Sequence, residues 1–173
     1  MATLARDTVR DTFITGLKNA HALEHQALAL MDRQMEHLAN YADVEQQLRM
    51  HRGETERQIQ RLETILEGMG DSPSMLKDAA MHFTGNMAAM SHMLAPDEIL
   101  KNSFANYAFE SFEVASYSAL VIMAEEGGFD AALPLLNETL REEQMMQEWV
   151  AKTLPVVVRK YLALAQAGET ASH

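Results

Sequence analysis

Asn102-Ser-Phe-Ala-Asn-Tyr-Ala-Phe-Glu110-Ser-Phe-Glu113-Val-Ala-Ser-Tyr-Ser-Ala-Leu-Val-Ile-Met-Ala124 runs for 23 residues without Gly or Pro, and its only charged side chains are two glutamates three apart. Wound at 3.6 residues per turn it has apolar residues on every face, which reads as a helix buried nearly all round. A buried ionised carboxylate is destabilising by several kcal/mol or more unless something pairs it, and two side by side also repel. Something cationic must therefore meet Glu110 and Glu113: an Arg or Lys from elsewhere, a shared proton, or a metal ion.

The segments on either side carry helical periodicity too. Residues 7 to about 39 place Val9, Phe13, Leu17, Ala20, Ala27, Met31 and Leu38 at three-and-four spacing, with Glu24 on the same stripe. Asn40-Tyr-Ala-Asp43 is a turn signal, and Asp43 is expected to cap a second helix that Gly68 and Gly70 end. The inward face of that helix is Leu48, Ile59, Leu62 and Leu66, with His51, Thr55 and Gln58 filling the gap and Glu54 at its edge. The helix containing 102–124 is expected over about 97–126, before Gly127-Gly128. A fourth follows from a cap at Asp130, with Leu133, Leu136, Leu140, Glu143, Gln147, Val150 and Leu154 inward. Pro155 ends or kinks it, leaving a short terminal helix at about 156–167 and a frayed tail, 168–173.

No stretch alternates as a strand would. Short links within each half and a long, partly helical crossover (71–96) between the second and third helices predict an all-α, ferritin-like four-helix bundle. Residues 1–173 read as one domain with its core at about 7–154. The crossover, with Met75, Met81, Met87, Met90 and Met93, is expected to cover part of the core.

A net charge of -11 argues against nucleic acid and anionic membrane surfaces as partners. The absence of Cys rules out disulfides, thiolate metal sites and a Cys nucleophile, so a metal must use oxygen and imidazole ligands, as iron, manganese or zinc can. No export signal is apparent at the start, and cytoplasm is the expected location.

Each long helix brings an inward polar group near its middle: Glu24, then His51 and Glu54, then Glu110 and Glu113, then Glu143. Glu24 to Glu54 and Glu113 to Glu143 are both 30 positions, as expected if each hairpin sets its pair at one level of the bundle. Carboxylates with one imidazole suit two hard or borderline divalent ions bridged by glutamate oxygens. Glu142 is expected on the solvent side of Glu143. His21, His25, Glu56 and Glu63 are read as surface groups, and Tyr107, Tyr117 and Trp149 as aromatic packing.

Three segments carry a family resemblance: His51-Arg-Gly-Glu-Thr-Glu-Arg-Gln-Ile-Gln-Arg-Leu62, Glu110-Ser-Phe-Glu-Val-Ala-Ser-Tyr117 and Leu135-Leu-Asn-Glu-Thr-Leu-Arg-Glu-Glu143. Together with helix order they make the chain resemble the YciE/YciF-like branch of the ferritin-like (di-iron carboxylate) proteins over residues 7 to 152. The resemblance implies a stress-associated homodimer with a di-iron or di-manganese centre, two ions per chain at most, held by Glu24, Glu54, Glu110, Glu113 and Glu143 with His51 close by. Where such sites commonly carry Glu-x-x-His, this chain has Glu54-Thr-Glu-Arg57 and Glu143-Gln-Met-Met146. Two functions follow as expectations. One is a di-metal oxidoreductase, ferroxidase- or peroxidase-like, that reacts with dioxygen or peroxide. The other is a non-enzymatic structural or stress protein whose metal or shared protons only stabilise the bundle.

Overall fold

The computed structural model describes residues 2–71 and 97–172, which form four helices and no strand: α1 (Ala2–Met35), α2 (Ala42–Gly68), α3 (Glu98–Gly127) and α4 (Leu133–Ala167). α1 lies against α2 and α3, and α4 lies against α3 and α2, so α1 and α4 are diagonal, as are α2 and α3. Polar links fix the directions. Asp32 pairs with Arg52 at 2.7 Å and His21 with Glu63 at 3.3 Å across α1/α2. The Gln34 and Asn106 amides exchange hydrogen bonds across α1/α3 at 2.8 and 2.9 Å, and Gly16 faces Leu120 farther along the same pair. In each pair residue numbers rise on one helix as they fall on the other, so these neighbours are antiparallel. α2 therefore ends at the opposite end of the bundle from the start of α3, and the expected ferritin-like four-helix layout is the one observed. The crossover itself lies outside the described residues.

Two apolar clusters sit above and below the level of the buried carboxylates. Phe13, Leu17, Leu62, Leu66, Leu120 and Leu136 fill one end, and Met31, Leu38, Val44, Leu48, Ile99 and Val157 the other. Gly16 allows close approach of α1 to α3, since a Cβ there would come within 2.9 Å of Leu120. α3 ends as the sequence implies, at Gly128 in the left-handed conformation (φ 68°).

Several expectations are corrected. There is no separate terminal helix, because α4 continues through Pro155 to Ala167. Proline removes the bond to the Ala151 carbonyl, but both residues lie on the exposed face, where water can satisfy that oxygen. The tail is not frayed over its described length. Tyr41 Oη donates to the Ala171 carbonyl at 2.6 Å and Ile99 N to that of Ser172 at 3.2 Å, joining the α1–α2 turn to the start of α3. Tyr41, not Asp43, occupies the position before α2, with Asp43 in its first turn, and α4 begins three residues after Asp130. α3 is not buried all round: Phe104, Tyr107, Phe112 and Ile122 are exposed on its outer face. Weak amphipathicity had signalled burial, but a helix in one chain can also be apolar outside.

Candidate metal centre

The inward stripes of the four helices converge at mid-height. His51, Glu110, Glu113 and Glu143, all buried, bring ligand atoms within 4.8 Å of one another. Glu24 is as deeply buried beside them, 1% exposed. Its Oε1 accepts a hydrogen bond from Tyr117 Oη, which crosses from α3 to α1. Glu54 lies outside the group of four, its side chain 26% exposed, and meets His51 Nδ1 at 3.0 Å. The structure thus brings five of the six expected residues to one place and sets the sixth, Glu54, behind the histidine.

Five carboxylate oxygens in this cluster have no hydrogen-bond partner: Glu24 Oε2, Glu110 Oε2, both oxygens of Glu113, and Glu143 Oε2. Buried polar atoms are normally satisfied, and five such acceptors in one place are unstable as free anions. Burial first, and then Glu143, push the carboxyls of Glu24, Glu110 and Glu113 well above the usual carboxylate range. Burial lowers His51, but the Glu54 hydrogen bond and the charge of Glu143 outweigh it, so the imidazole is raised overall. The His51 hydrogen bond holds Glu54 below its usual range. An ionised Glu54 can only accept, so Nδ1 donates to it and Nε2 is aimed inward, 3.5 Å from Glu110 and 3.7 Å from Glu143. These distances are too long for good hydrogen bonds.

Two further residues shape the site. Gln58 Nε2 donates to Glu143 Oε1 and, at 3.0 Å, to Glu142 Oε2. Arg61 pairs with Glu142 at 2.6 Å and with the exposed Glu138 at 2.6 Å. Glu142 is therefore the arginine partner and Glu143 the inward one, as expected. In the sequence, Gln58 stood out only as a polar residue inside an apolar stripe, and Tyr117 had no signal distinguishing it from packing. Contrary to the surface reading, His21 is buried and meets Glu63, whereas His25 is exposed.

The donors fit a metal ion: hard oxygens, one imidazole held from behind by a carboxylate, no thiol, and orphaned acceptors that a cation would satisfy. Glu24, His51, Glu110, Glu113 and Glu143 are the residues that would hold such an ion.

Residues 8–163 match the sequence profile of a family described as "Domain of unknown function (DUF892)". The chain belongs to the DUF892 family. A similar protein is YciF of Escherichia coli (strain K12), 28% identical over 145 residues, which are 79% of this chain and 84% of YciF. A crystal structure of a Xanthomonas campestris protein superposes with a TM-score of 0.76 at 25% identity, covering 91% of this chain and 99% of the other. The crystal structure described as the E. coli stress protein YciF superposes with a TM-score of 0.71 at 22% identity, over 88% and 98%. The YciF-like resemblance read from the three segments and the helical-bundle fold are thus both supported for this member of DUF892. Among its described residues, no helix is long and apolar enough to cross a membrane.

Proposed function

We propose that this protein is a metal-binding member of its family, with one or two iron or manganese ions at mid-bundle, acting in an oxidative-stress role. The observation that carries this reading is the group of five partnerless carboxylate oxygens facing an inward imidazole nitrogen. A bound metal would supply Lewis-acid and redox chemistry toward dioxygen or peroxide. The chain's own residues do the rest. Glu54 orients His51, Gln58 holds Glu143, and the apolar clusters on either side keep bulk water out. Loading releases protons from the raised carboxyls.

The description of YciF as a stress protein supports the physiological half of the proposal. A second copy fits the outer face of α3, because between Asn102 and Ala124 the chain presents no exposed charge, whereas its net charge of -11 opposes association elsewhere. A groove of about 190 Å³ lined by Gly16, Ala20, Leu23, Phe112, Ala119 and Met123 adjoins that face.

Elemental analysis after purification, followed by anaerobic Fe(II) and Mn(II) titration, tests the centre. The expected result is one to two ions per chain, lost in Glu113→Ala and kept in Glu56→Ala. Folded, metal-free protein that takes up neither ion refutes it. Uptake without oxidation of Fe(II) or consumption of peroxide leaves a stabilising site only.

A further inference from the structure

The proposed centre gives no task to Tyr117, although it is fully buried and lies one turn beyond Glu113 on α3. Its phenol reaches across to α1 and donates to Glu24 Oε1, leaving Oε2 as the free atom of that carboxylate. Glu143 is divided in the same way, with Oε1 held by Gln58 and Oε2 free. Glu113 differs from both, because neither of its oxygens has a partner. A carboxylate with one oxygen held by a buried donor has a fixed orientation and presents its other oxygen to a cation.

We propose that Tyr117 is a positioning residue that holds Glu24 through Oε1 so that Oε2 faces the centre, as Gln58 does for Glu143. This rests on the metal-centre reading above and adds to it the group that orients Glu24. Without the phenol, Glu24 would have two unsatisfied buried oxygens and no fixed rotamer. Outer-shell donors of this kind typically change metal affinity by about 10- to 100-fold.

The test is Mn(II) titration calorimetry on wild type, Tyr117→Phe, Glu24→Ala and the double variant, with far-UV circular dichroism checking each fold. Tyr117→Phe is expected to weaken the Glu24-dependent binding step by about 10- to 100-fold and to have no further effect in the Glu24→Ala background. A structural role would lower melting temperature without that pattern. Tyr117→Phe affinity within twofold of wild type, or an equal loss in both backgrounds, overturns the proposal. Ultraviolet Raman difference spectra of wild type give a reading that needs no variant. The buried tyrosine should keep its donor signature on Mn(II) loading, and its loss would count against the assignment. A wild type that binds no Mn(II) or Fe(II) fails at the earlier step and refutes the centre itself.

Discussion

Glu113→Gln should move the two properties of the centre in opposite directions. In the metal-free protein both Glu113 oxygens are buried without partners, and burial, then Glu143, Glu24 and Glu110 raise its carboxyl well above its ordinary value of 4.5. Keeping a proton on such a group costs about 1.4 kcal/mol per pH unit above its unfolded value, so the ceiling at pH 7 is about 3.5 kcal/mol. An amide of the same shape has no such requirement. For a chain of this size, recovery of that energy raises the melting temperature by as much as about 7 to 14 °C. The sign follows from a folded value raised above the unfolded one. The wild-type penalty is absent below the unfolded value and grows as pH rises toward the folded one. The difference between variant and wild type should therefore vanish near pH 4.5. Metal uptake should fall, because an anionic donor has been lost. Thermal unfolding of chelated protein from pH 4.5 to 8, paired with Mn(II) titration, measures both effects. A metal-free variant that melts below wild type at pH 7, or an offset that is the same at every pH, refutes the reasoning.

Mn(II) affinity should decline as pH falls from 8 to 6, because Glu24, Glu110 and Glu113 hold protons well above the ordinary carboxylate range and the metal must displace them; a flat profile would contradict this. Pro155→Ala restores the missing bond to the Ala151 carbonyl and should stabilise α4 by up to about 3 kcal/mol, read as a higher denaturant midpoint, whereas a lower midpoint would show that the proline is needed. Phe112→Glu with Ile122→Glu should convert a two-chain mass to one-chain in light scattering while leaving metal uptake intact. An unchanged mass would move the second copy elsewhere.

The sequence made the helices legible wherever an apolar stripe met a glycine stop, as at Gly68 and Gly128, and made the site legible wherever a carboxylate interrupted such a stripe, as at Glu24 and Glu143. It was misleading where one signal has two physical outcomes. Pro155 can end a helix or sit on its wet face, and the 102–124 stretch, charged only at Glu110 and Glu113, can be buried or offer an apolar exterior. Glu54 kept the 30-residue spacing of Glu143, yet spacing sets height along a bundle and not depth within it. Tyr117 and Gln58 act through partners on a different helix, which no local pattern encodes.

The antiparallel neighbours make α1–α2 and α3–α4 two hairpins of mostly local contacts, the kind of unit that forms early in folding. Glu24 and His51 arrive on one hairpin, and Glu110, Glu113 and Glu143 on the other. Joining the halves adds Glu24 and His51 to three carboxyls that their own hairpin already gathers and takes all of them out of water, so docking requires those carboxyls to hold protons or a cation. A cation held by ligands from both halves would favour the joined state, which makes the docking of the hairpins a folding step that responds to metal supply.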